Sequence, residues 1–396
     1  MSKNKVQTIE INITGIVQGV GFRPFIFNLA REYNLNGYVL NRGNAGVRLI
    51  LQGYKSKIDS FLRMLNEKKP DIAYIENVEI EKIDTDQTYH SLEIRKSEEG
   101  RGISLTLPPD VAMCNNCLQE LGNPKRERYY HYHFVACAVC GPRFTTVKQL
   151  PYDRIRTTMK EFPFCESCWK EYSDFENRRF HAQTFSCSIC GPNYKLFNNK
   201  HKEIEIQNKE TLLLETTKRL KKGEIGAIKG IGGVHLVCLA DQDNTILNLR
   251  NRKGDRKYKP FAVMVPNLEI ISNDFNISEK EESLLKSFRR PIVLLNKNDD
   301  GNKSDLSEYI APGLNNIGFM LPYSGIHHLI FDFLGKKPLI YTSGNSSHIP
   351  MPIENQEILK DLDGIADFFL LHNRNIYQRA DDSVLRVHGI KKKLIR

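Results

Sequence analysis

The cysteines of this chain constrain its fold more than any other feature of the sequence. Eight of the nine fall in CxxC pairs, which form two sets separated internally by 19 and 18 residues. That separation is typical of a four-thiolate zinc site. The spacing therefore predicts two zinc ions held by the paired cysteines: Cys114, Cys117, Cys137, Cys140, Cys165, Cys168, Cys187 and Cys190.

The cysteine region also repeats itself. The segment YHYHFVACAVCGPRF, residues 130–144, aligns with FHAQTFSCSICGPNY, residues 180–194, and places His131 over His181. Two copies of a zinc-ribbon unit are expected, with their cysteine pairs combined either sequentially or in an interleaved order. Four thiolates leave no coordination position for water, so we interpret the zinc ions as structural and not catalytic.

Composition and hydropathy favour a cytoplasmic protein with anionic partners. The chain has 396 residues, of which 40% are hydrophobic, enough for two or three domains with cores. No apolar run approaches the roughly 18 residues that span a bilayer, and the start of the chain lacks the apolar part of a signal peptide. A formal net charge of +10 favours phosphorylated metabolites, nucleotides or nucleic acid. In a reducing cytosol, disulfides are disfavoured.

Periodicity predicts three regions of α/β and α+β structure. Residues 1–95 alternate as strands near 5–15, 36–42, 46–53 and 75–84, with helices near 23–34 and 55–67. This βαββαβ order predicts a ferredoxin-like sandwich. The tandem zinc-ribbon domain, with four cysteines for each zinc ion, follows at 106–195. Residues 205–390 combine helical and apolar strand-like runs and are predicted to form a larger mixed α/β domain.

A glycine-rich turn follows the first predicted strand, in GIVQGVGFRP, residues 15–24. Glycines at such a turn let main-chain N–H groups converge on an anion, and the N-terminus of the next helix adds favourable charge. Arg23 supplies a planar cationic fork suited to two phosphate oxygens. The alternative is a glycine-rich hairpin with a surface arginine. The predicted phosphate loop consists of Gln18, Gly19, Val20, Gly21 and Phe22.

This stretch, with GYVLNRGNAGVRLILQG at residues 37–53, resembles the acylphosphatase signature. The resemblance implies that Arg23 holds a phosphoryl group and that Asn41 orients the attacking water. An acyl phosphate is already activated, so positioning and charge stabilisation suffice without a covalent nucleophile. From the residues alone, Asn41 could also serve as a turn residue.

The whole chain resembles the HypF family of hydrogenase maturation carbamoyltransferases. The resemblance rests on the acylphosphatase-like head and on motifs in chain order: CGPRFT, CGPNY, KGIGGVHL, KPFAVMV, RRPIVLL, APGLNNIGFMLPYSGIHHLI, TSGN and RADDSV. It implies that the third region is a YrdC-like domain, which condenses carbamate with ATP into carbamoyl-adenylate. It also implies a C-terminal transfer domain beyond KKKLIR, and passage of the carbamoyl group to the C-terminal cysteine of a HypE-type maturation protein.

Several polar residues of the third region are candidate nucleotide ligands. Lysine and glycines in KGIGG suit a phosphate cradle or a tight turn, and the basic run RNRKGDRKYKP leads into an apolar strand. TSGN offers hydroxyl and amide groups, and the arginine of RADDSV binds either the adenylate or an aspartate. His327 and His328 are interpreted as structural or partner-facing. The candidates are Lys229, Lys253, Arg256, Lys259, Thr342, Ser343, Asn345 and Arg379.

The resemblance thus implies an ATP-dependent carbamoyltransferase with acylphosphatase activity. Its expected ligands are carbamoyl phosphate, ATP with Mg²⁺, and two structural zinc ions, and neither nucleic acid nor membrane is an expected partner. Carbamate would pass from the first site to the third region, shielded from water. The alternatives are an RNA-binding or tRNA-modifying YrdC-type protein with zinc ribbons, for which KRERYYHYHF would be a stacking platform, and a non-catalytic assembly scaffold.

Overall fold

The computed structural model describes residues 5–99, 107–254, 258–298, 305–345, 349–389 and 391–396. Its elements, in chain order, are β1 (Val6–Ile16), α1 (Phe22–Glu32), β2 (Asn36–Asn41), β3 (Val47–Tyr54), α2 (Lys55–Glu67), β4 (Tyr74–Ile83), β5 (Leu92–Ile94), α3 (Asn115–Leu121), α4 (Glu166–Ser173), β6 (Tyr194–Asn198), β7 (Glu203–Ile204), α5 (Lys209–Lys221), β8 (Gly226–Lys229), β9 (Val234–Leu239), α6 (Asp243–Lys253), β10 (Ala262–Met264), β11 (Phe275–Asn276), α7 (Glu279–Lys286), β12 (Ile292–Lys297), β13 (Asn316–Met320), α8 (Gly325–Leu334), β14 (Leu339–Ser343), α9 (Asn355–Asp361), β15 (Phe368–His372), β16 (Val384–His388) and β17 (Lys391–Leu394). Short 3₁₀ helices lie at Gly43–Ala45, Arg154–Arg156, Thr158–Glu161, Leu268–Ile270 and Glu308–Ile310.

The chain forms two compact units, each built from two segments. The first unit comprises Met1–Val111 and Ala136–Gly191, and the second comprises Ala112–Val135 and Pro192–Arg396. In the part of the chain described, no helix combines the length and the apolar character needed to cross a membrane.

The first unit contains the predicted ferredoxin-like sandwich. Its sheet has the order β4-β1-β3-β2-β5, with β1 antiparallel to both β3 and β4. The strands and helices predicted for the first 95 residues all occur, with ends shifted by at most two residues. Alternation in β1 buries Ile9, Ile11 and Ile13, which pack with buried residues of α1 and α2 in one core cluster.

The remainder of the first unit consists mostly of turns around the cysteines. α4 begins directly after Cys165, and α1 packs on this region because the Phe27 ring lies 5.3 Å from that of Phe180. His131 and His181, which align in the sequence repeat, also have the same backbone conformation, with positive φ angles of 50° and 51°. His181 belongs to this unit, and His131 belongs to the second.

The second unit is built on a mixed sheet, as expected from its alternating helical and apolar segments. The strand order is β17-β16-β12-β13-β10-β14-β9-β8-β15-β6-β7, and β11 pairs with β12. Every residue of β9 is buried, because this strand lies between β8 and β14 in the interior of the sheet. The adjoining loops after β8 and β14 carry the KGIGG and TSGN motifs.

Candidate active sites and metal centres

The predicted phosphate loop connects β1 to α1. Gly19 and Gly21 have φ of 70° and 74°, values that glycine adopts without the steric cost of a Cβ. Gly21 is the N-cap of α1, so the first N–H groups of this helix lack intrahelical acceptors. Val20 and Phe22 bury their side chains in the core. The loop therefore combines an anchored backbone with the donors expected of an anion site.

Arg23, in the first turn of α1, is held by acceptors from two distant segments. Its Nη1 donates to Asp153 Oδ1 at 3.2 Å and to Ser97 Oγ at 3.3 Å. Its Nη2 donates to the main-chain oxygen of Tyr152 at 3.1 Å. The residue is 8% exposed, and the carboxylate of Asp153 balances its charge. Arg23 is thus a fixed cation beside the loop.

Asn41, the last residue of β2, is brought directly to Arg23. In the amide orientation that satisfies both partners, its side-chain oxygen accepts from Arg23 Nε at 3.1 Å and from Nη2 at 3.3 Å. The residue is fully buried. The side chain of Asn41 thus fixes the orientation of the Arg23 guanidinium.

A small cavity adjoins the loop. Arg23, Arg143, Gln18 and His181 are among its lining residues. Burial and the nearby charge of Arg23 lower the pKa of His181 to about 4, so its imidazole is neutral near pH 7. The positive charge at this cavity therefore comes from arginines.

Gln18 has a supporting position in the loop. Its Nε2 donates to the main-chain oxygens of Gly43 at 2.6 Å and Gly46 at 3.0 Å. Its Oε1 accepts from the N–H of Tyr152 at 3.3 Å. Gln18 thus ties the phosphate loop to the β2–β3 connection with both ends of its amide.

The eight paired cysteines form two tetrads, combined sequentially along the chain. Within each tetrad the sulfur atoms lie within 4.8 Å of one another. Neighbouring sulfurs are 3.7 to 3.9 Å apart, close to the roughly 3.8 Å edge of a tetrahedron with zinc–sulfur bonds of about 2.3 Å. Both tetrads suit zinc: Cys114, Cys117, Cys137 and Cys140 form the first, and Cys165, Cys168, Cys187 and Cys190 form the second.

The second unit has a larger cavity, about 260 Å³ in volume. Its walls include Lys259, Thr342 and Ser343 from the predicted nucleotide set. His235 and Asp382 also line it, joined by a contact of 3.1 Å between Nε2 and Oδ2. A cationic lysine, hydroxyl groups and a histidine–carboxylate pair thus surround a space of the size that small ligands occupy.

Two predicted lysines are buried beside this cavity's loops and not in its lining. The Nζ of Lys253 donates to the main-chain oxygens of Ser343 at 2.7 Å and Asn345 at 2.8 Å, so it supports the TSGN turn. The Nζ of Lys229 donates to Asn355 at 2.7 Å, and burial lowers its pKa to about 8. In this structure both lysines hold loops in place.

Other predicted residues of the second unit take different positions. Arg379 is exposed and is not among the residues that line the cavity. The expected arginine–aspartate pair forms instead between Asp381 and Arg396. Arg256 lies outside the described residues. His327 is buried against the rings of Tyr323 and Tyr341, which fits the structural interpretation.

Sequence reasoning missed four residues of these sites: Asp153, Arg143, His235 and Asp382. His235 and Asp382 lie inside quoted motifs, KGIGGVHL and RADDSV, but 147 positions separate them. Arg143 is the arginine of CGPRFT, and the second copy of the repeat has Asn193 at that position. This difference between the two copies was the sequence signal that could have drawn attention to Arg143.

Family models match three regions of the chain. The acylphosphatase family model matches residues 9–94, the HypF finger model matches 113–147 and 164–197, and the Sua5/YciO/YrdC model, described as telomere recombination, matches 218–396. An acylphosphatase of Archaeoglobus fulgidus is 36% identical over 22% of this chain and 94% of its own length.

Two comparisons extend over nearly the whole chain. A probable carbamoyltransferase HypF of Methanocaldococcus jannaschii is 47% identical over 96% of this chain and 48% of its own length. A crystal structure of full-length HypF in the phosphate- and nucleotide-bound form is 42% identical, covers 99% of this chain and 50% of that chain, and superposes with a TM-score of 0.92. The chain spans about half the length of the relatives it matches.

The fold and the family matches together define a multidomain chain with an acylphosphatase domain, HypF-type cysteine fingers and a YrdC-like domain. More particularly, the chain belongs to the HypF family.

Proposed function

We propose that this chain hydrolyses carbamoyl phosphate in its first unit and forms carbamoyl-adenylate from carbamate and ATP in its second. The observation that carries the proposal is the direct contact of Arg23 with Asn41 beside a donor-rich loop. That pair has the groups that an acyl-phosphate site requires, in a chain of the HypF family.

In the first step, Arg23 and the loop N–H groups bind the phosphoryl oxygens of carbamoyl phosphate. The amide nitrogen of Asn41 positions the attacking water. Its attack breaks the phosphorus–oxygen bond to the carbamoyl group and releases phosphate and carbamate. Charge stabilisation by fixed donors lowers the barrier, because they need no reorganisation as negative charge develops.

In the second step, a carbamate oxygen attacks the α-phosphorus of ATP, and the bond to the pyrophosphate leaving group breaks. Lys259, Thr342 and Ser343 line the cavity in which this occurs. Lys253 supports the TSGN turn from behind. Mg²⁺ bound with ATP would neutralise part of the phosphate charge. We assign Arg256, Lys229, Asn345 and Arg379 to nucleotide binding on the family resemblance.

The phosphate and the nucleotide named for the HypF crystal structure support both ligand classes. The two cysteine tetrads hold structural zinc, since four thiolates leave no site for a reacting water. We further propose a cytoplasmic location and transfer of the carbamoyl group to the C-terminal cysteine of a HypE-type partner, for synthesis of the cyanide ligand of [NiFe]-hydrogenase.

The proposal is tested by measuring phosphate and pyrophosphate release from carbamoyl phosphate and ATP. The chain should release pyrophosphate from ATP, with formation of carbamoyl-adenylate, only when carbamoyl phosphate is present. Arg23→Ala should stop release of both products, because the first step supplies the carbamate of the second. Lys259→Ala should stop pyrophosphate release while phosphate release persists.

Exposed residues of the same units provide the controls. Arg31→Ala, on α1, and Lys221→Ala, on α5, should leave both products at the level of the unmodified chain. Normal pyrophosphate release by the Arg23→Ala chain would show that the first unit is not the source of carbamate.

A further inference from the structure

Arg143 is among the most deeply buried large side chains of the described structure, at 2% exposure. It follows the Cys137–Cys140 pair and lines the cavity beside the phosphate loop. Its Nη1 donates to the main-chain oxygen of Cys140 at 2.9 Å and to Thr184 Oγ1 at 3.2 Å. Its Nη2 donates to the main-chain oxygen of Ala138 at 3.0 Å. Its Nε donates to the main-chain oxygen of Gly19.

These acceptors are neutral, which sets Arg143 apart from other buried arginines of the first unit. Arg23 is paired with Asp153 and Arg179 with Glu171. Asp110, the carboxylate that contacts Arg143, accepts from its main-chain N–H at 2.5 Å and not from the guanidinium. A buried charge that meets only neutral groups is costly. An anion in the adjoining cavity would offset that cost.

The contact with Gly19 also fixes the direction of the loop. A main-chain oxygen that turned toward the cavity would repel an anion. Arg143 draws this oxygen to itself, at a residue whose left-handed backbone is available to glycine. The N–H groups of the loop are thereby left as the polar main-chain groups that face the substrate.

We propose that Arg143 is a positioning residue of the acyl-phosphate site, which orients the loop through Gly19 and balances the charge of the bound phosphoryl group. This inference rests on the proposed function of the first unit. It explains why the first copy of the repeat has arginine where the second has Asn193.

The test compares Arg143→Gln, Arg143→Lys and Arg179→Gln in the full chain. Arg179 is the matched control because it is equally buried, at 2%, donates to the main-chain oxygen of Ala136, and does not line the cavity. For each chain, the KM and kcat for carbamoyl phosphate, the inhibition constant of inorganic phosphate and the zinc content are measured.

We expect Arg143→Gln to raise both KM and the inhibition constant of phosphate at least tenfold with two zinc ions retained. Arg143→Lys, which keeps the charge and loses the fork, should recover part of the phosphate affinity. Arg179→Gln should alter stability while KM stays within twofold. An Arg143→Gln chain that is folded and has unchanged KM and phosphate inhibition would overturn the inference.

A milder variant covers the case in which Arg143→Gln does not fold. Thr184→Val removes one acceptor of the guanidinium and should raise KM two- to fivefold, and an unchanged KM would count against the inference. Measuring phosphate binding tests the role of Arg143 independently of the proposed hydrolysis. If the unmodified chain binds phosphate without hydrolysing carbamoyl phosphate, the proposed function fails, and loss of phosphate-induced thermal protection in Arg143→Gln still tests Arg143.

Discussion

At the scale of single residues, the two arginines beside the phosphate loop differ in the groups that accept their hydrogen bonds. Arg23 has a carboxylate partner in Asp153, whereas the guanidinium of Arg143 meets main-chain and hydroxyl oxygens. Both line the same cavity. The field that a phosphoryl group meets there depends on Asp153 as much as on either arginine, because this acid cancels part of the positive charge.

Replacing that acid gives a direct measure of its effect. Asp153→Asn keeps an oxygen that accepts from Arg23 and removes the negative charge, so inorganic phosphate should bind roughly tenfold more tightly. The inhibition constant of phosphate in the hydrolysis assay measures this change. The control is Asp84→Asn, at an acid whose side chain is 99% exposed. Unchanged or weaker inhibition by phosphate would show that Asp153 does not oppose anion binding.

At the scale of elements, the features that could be predicted from the sequence are those set by residues close together in the chain. Alternation and glycine positions predicted β1, the loop and α1 because these depend on neighbours in sequence. The contact of Arg23 with Asp153 joins residues 130 positions apart, and no periodic pattern encodes it. Arg379 and Lys229 illustrate the opposite case: their motifs were visible, but packing placed their side chains outside the cavity lining.

The cysteine fingers allow a prediction about metal content. Cys140→Ser removes one ligand of the first tetrad, so the zinc content should fall from two ions per chain to one, and the thermal unfolding midpoint should drop because metal binding is coupled to folding. Metal analysis and calorimetry measure the two effects. Cys238→Ala, at the cysteine outside the tetrads, should keep two zinc ions. Full zinc content in Cys140→Ser would contradict the assignment of the first tetrad.

At the scale of the whole molecule, buried histidines make stability dependent on pH. Burial lowers the pKa of His133 to about 3 and those of His181 and His328 to about 4. It also lowers the pKa values of His327 and His372 well below the ordinary range. In the unfolded chain, histidine titrates near 6.5. Below about pH 6.5 the unfolded state therefore binds more protons than the folded state.

The free energy of unfolding should accordingly fall as the pH decreases from about 6.5 toward 4, since the state that binds more protons is favoured by acid. The contribution of these neutral histidines is complete above about pH 6.5 and is lost as the pH falls through their folded-state values. Urea unfolding at pH 7.5, 6.5 and 5.5, with zinc content checked at each pH, measures the slope. A urea midpoint that is constant from pH 7.5 to 5.5 would contradict this prediction.

Cys238 is the penultimate residue of β9, with its side chain fully buried, and burial raises the pKa of its thiol. Alkylating reagents attack thiolates, so they will modify this cysteine only when the strand leaves the sheet. With zinc protecting the eight paired cysteines, the labelling rate of Cys238 measures how often the second unit opens. Slower labelling in the presence of ATP would then report nucleotide binding without any assay of chemistry.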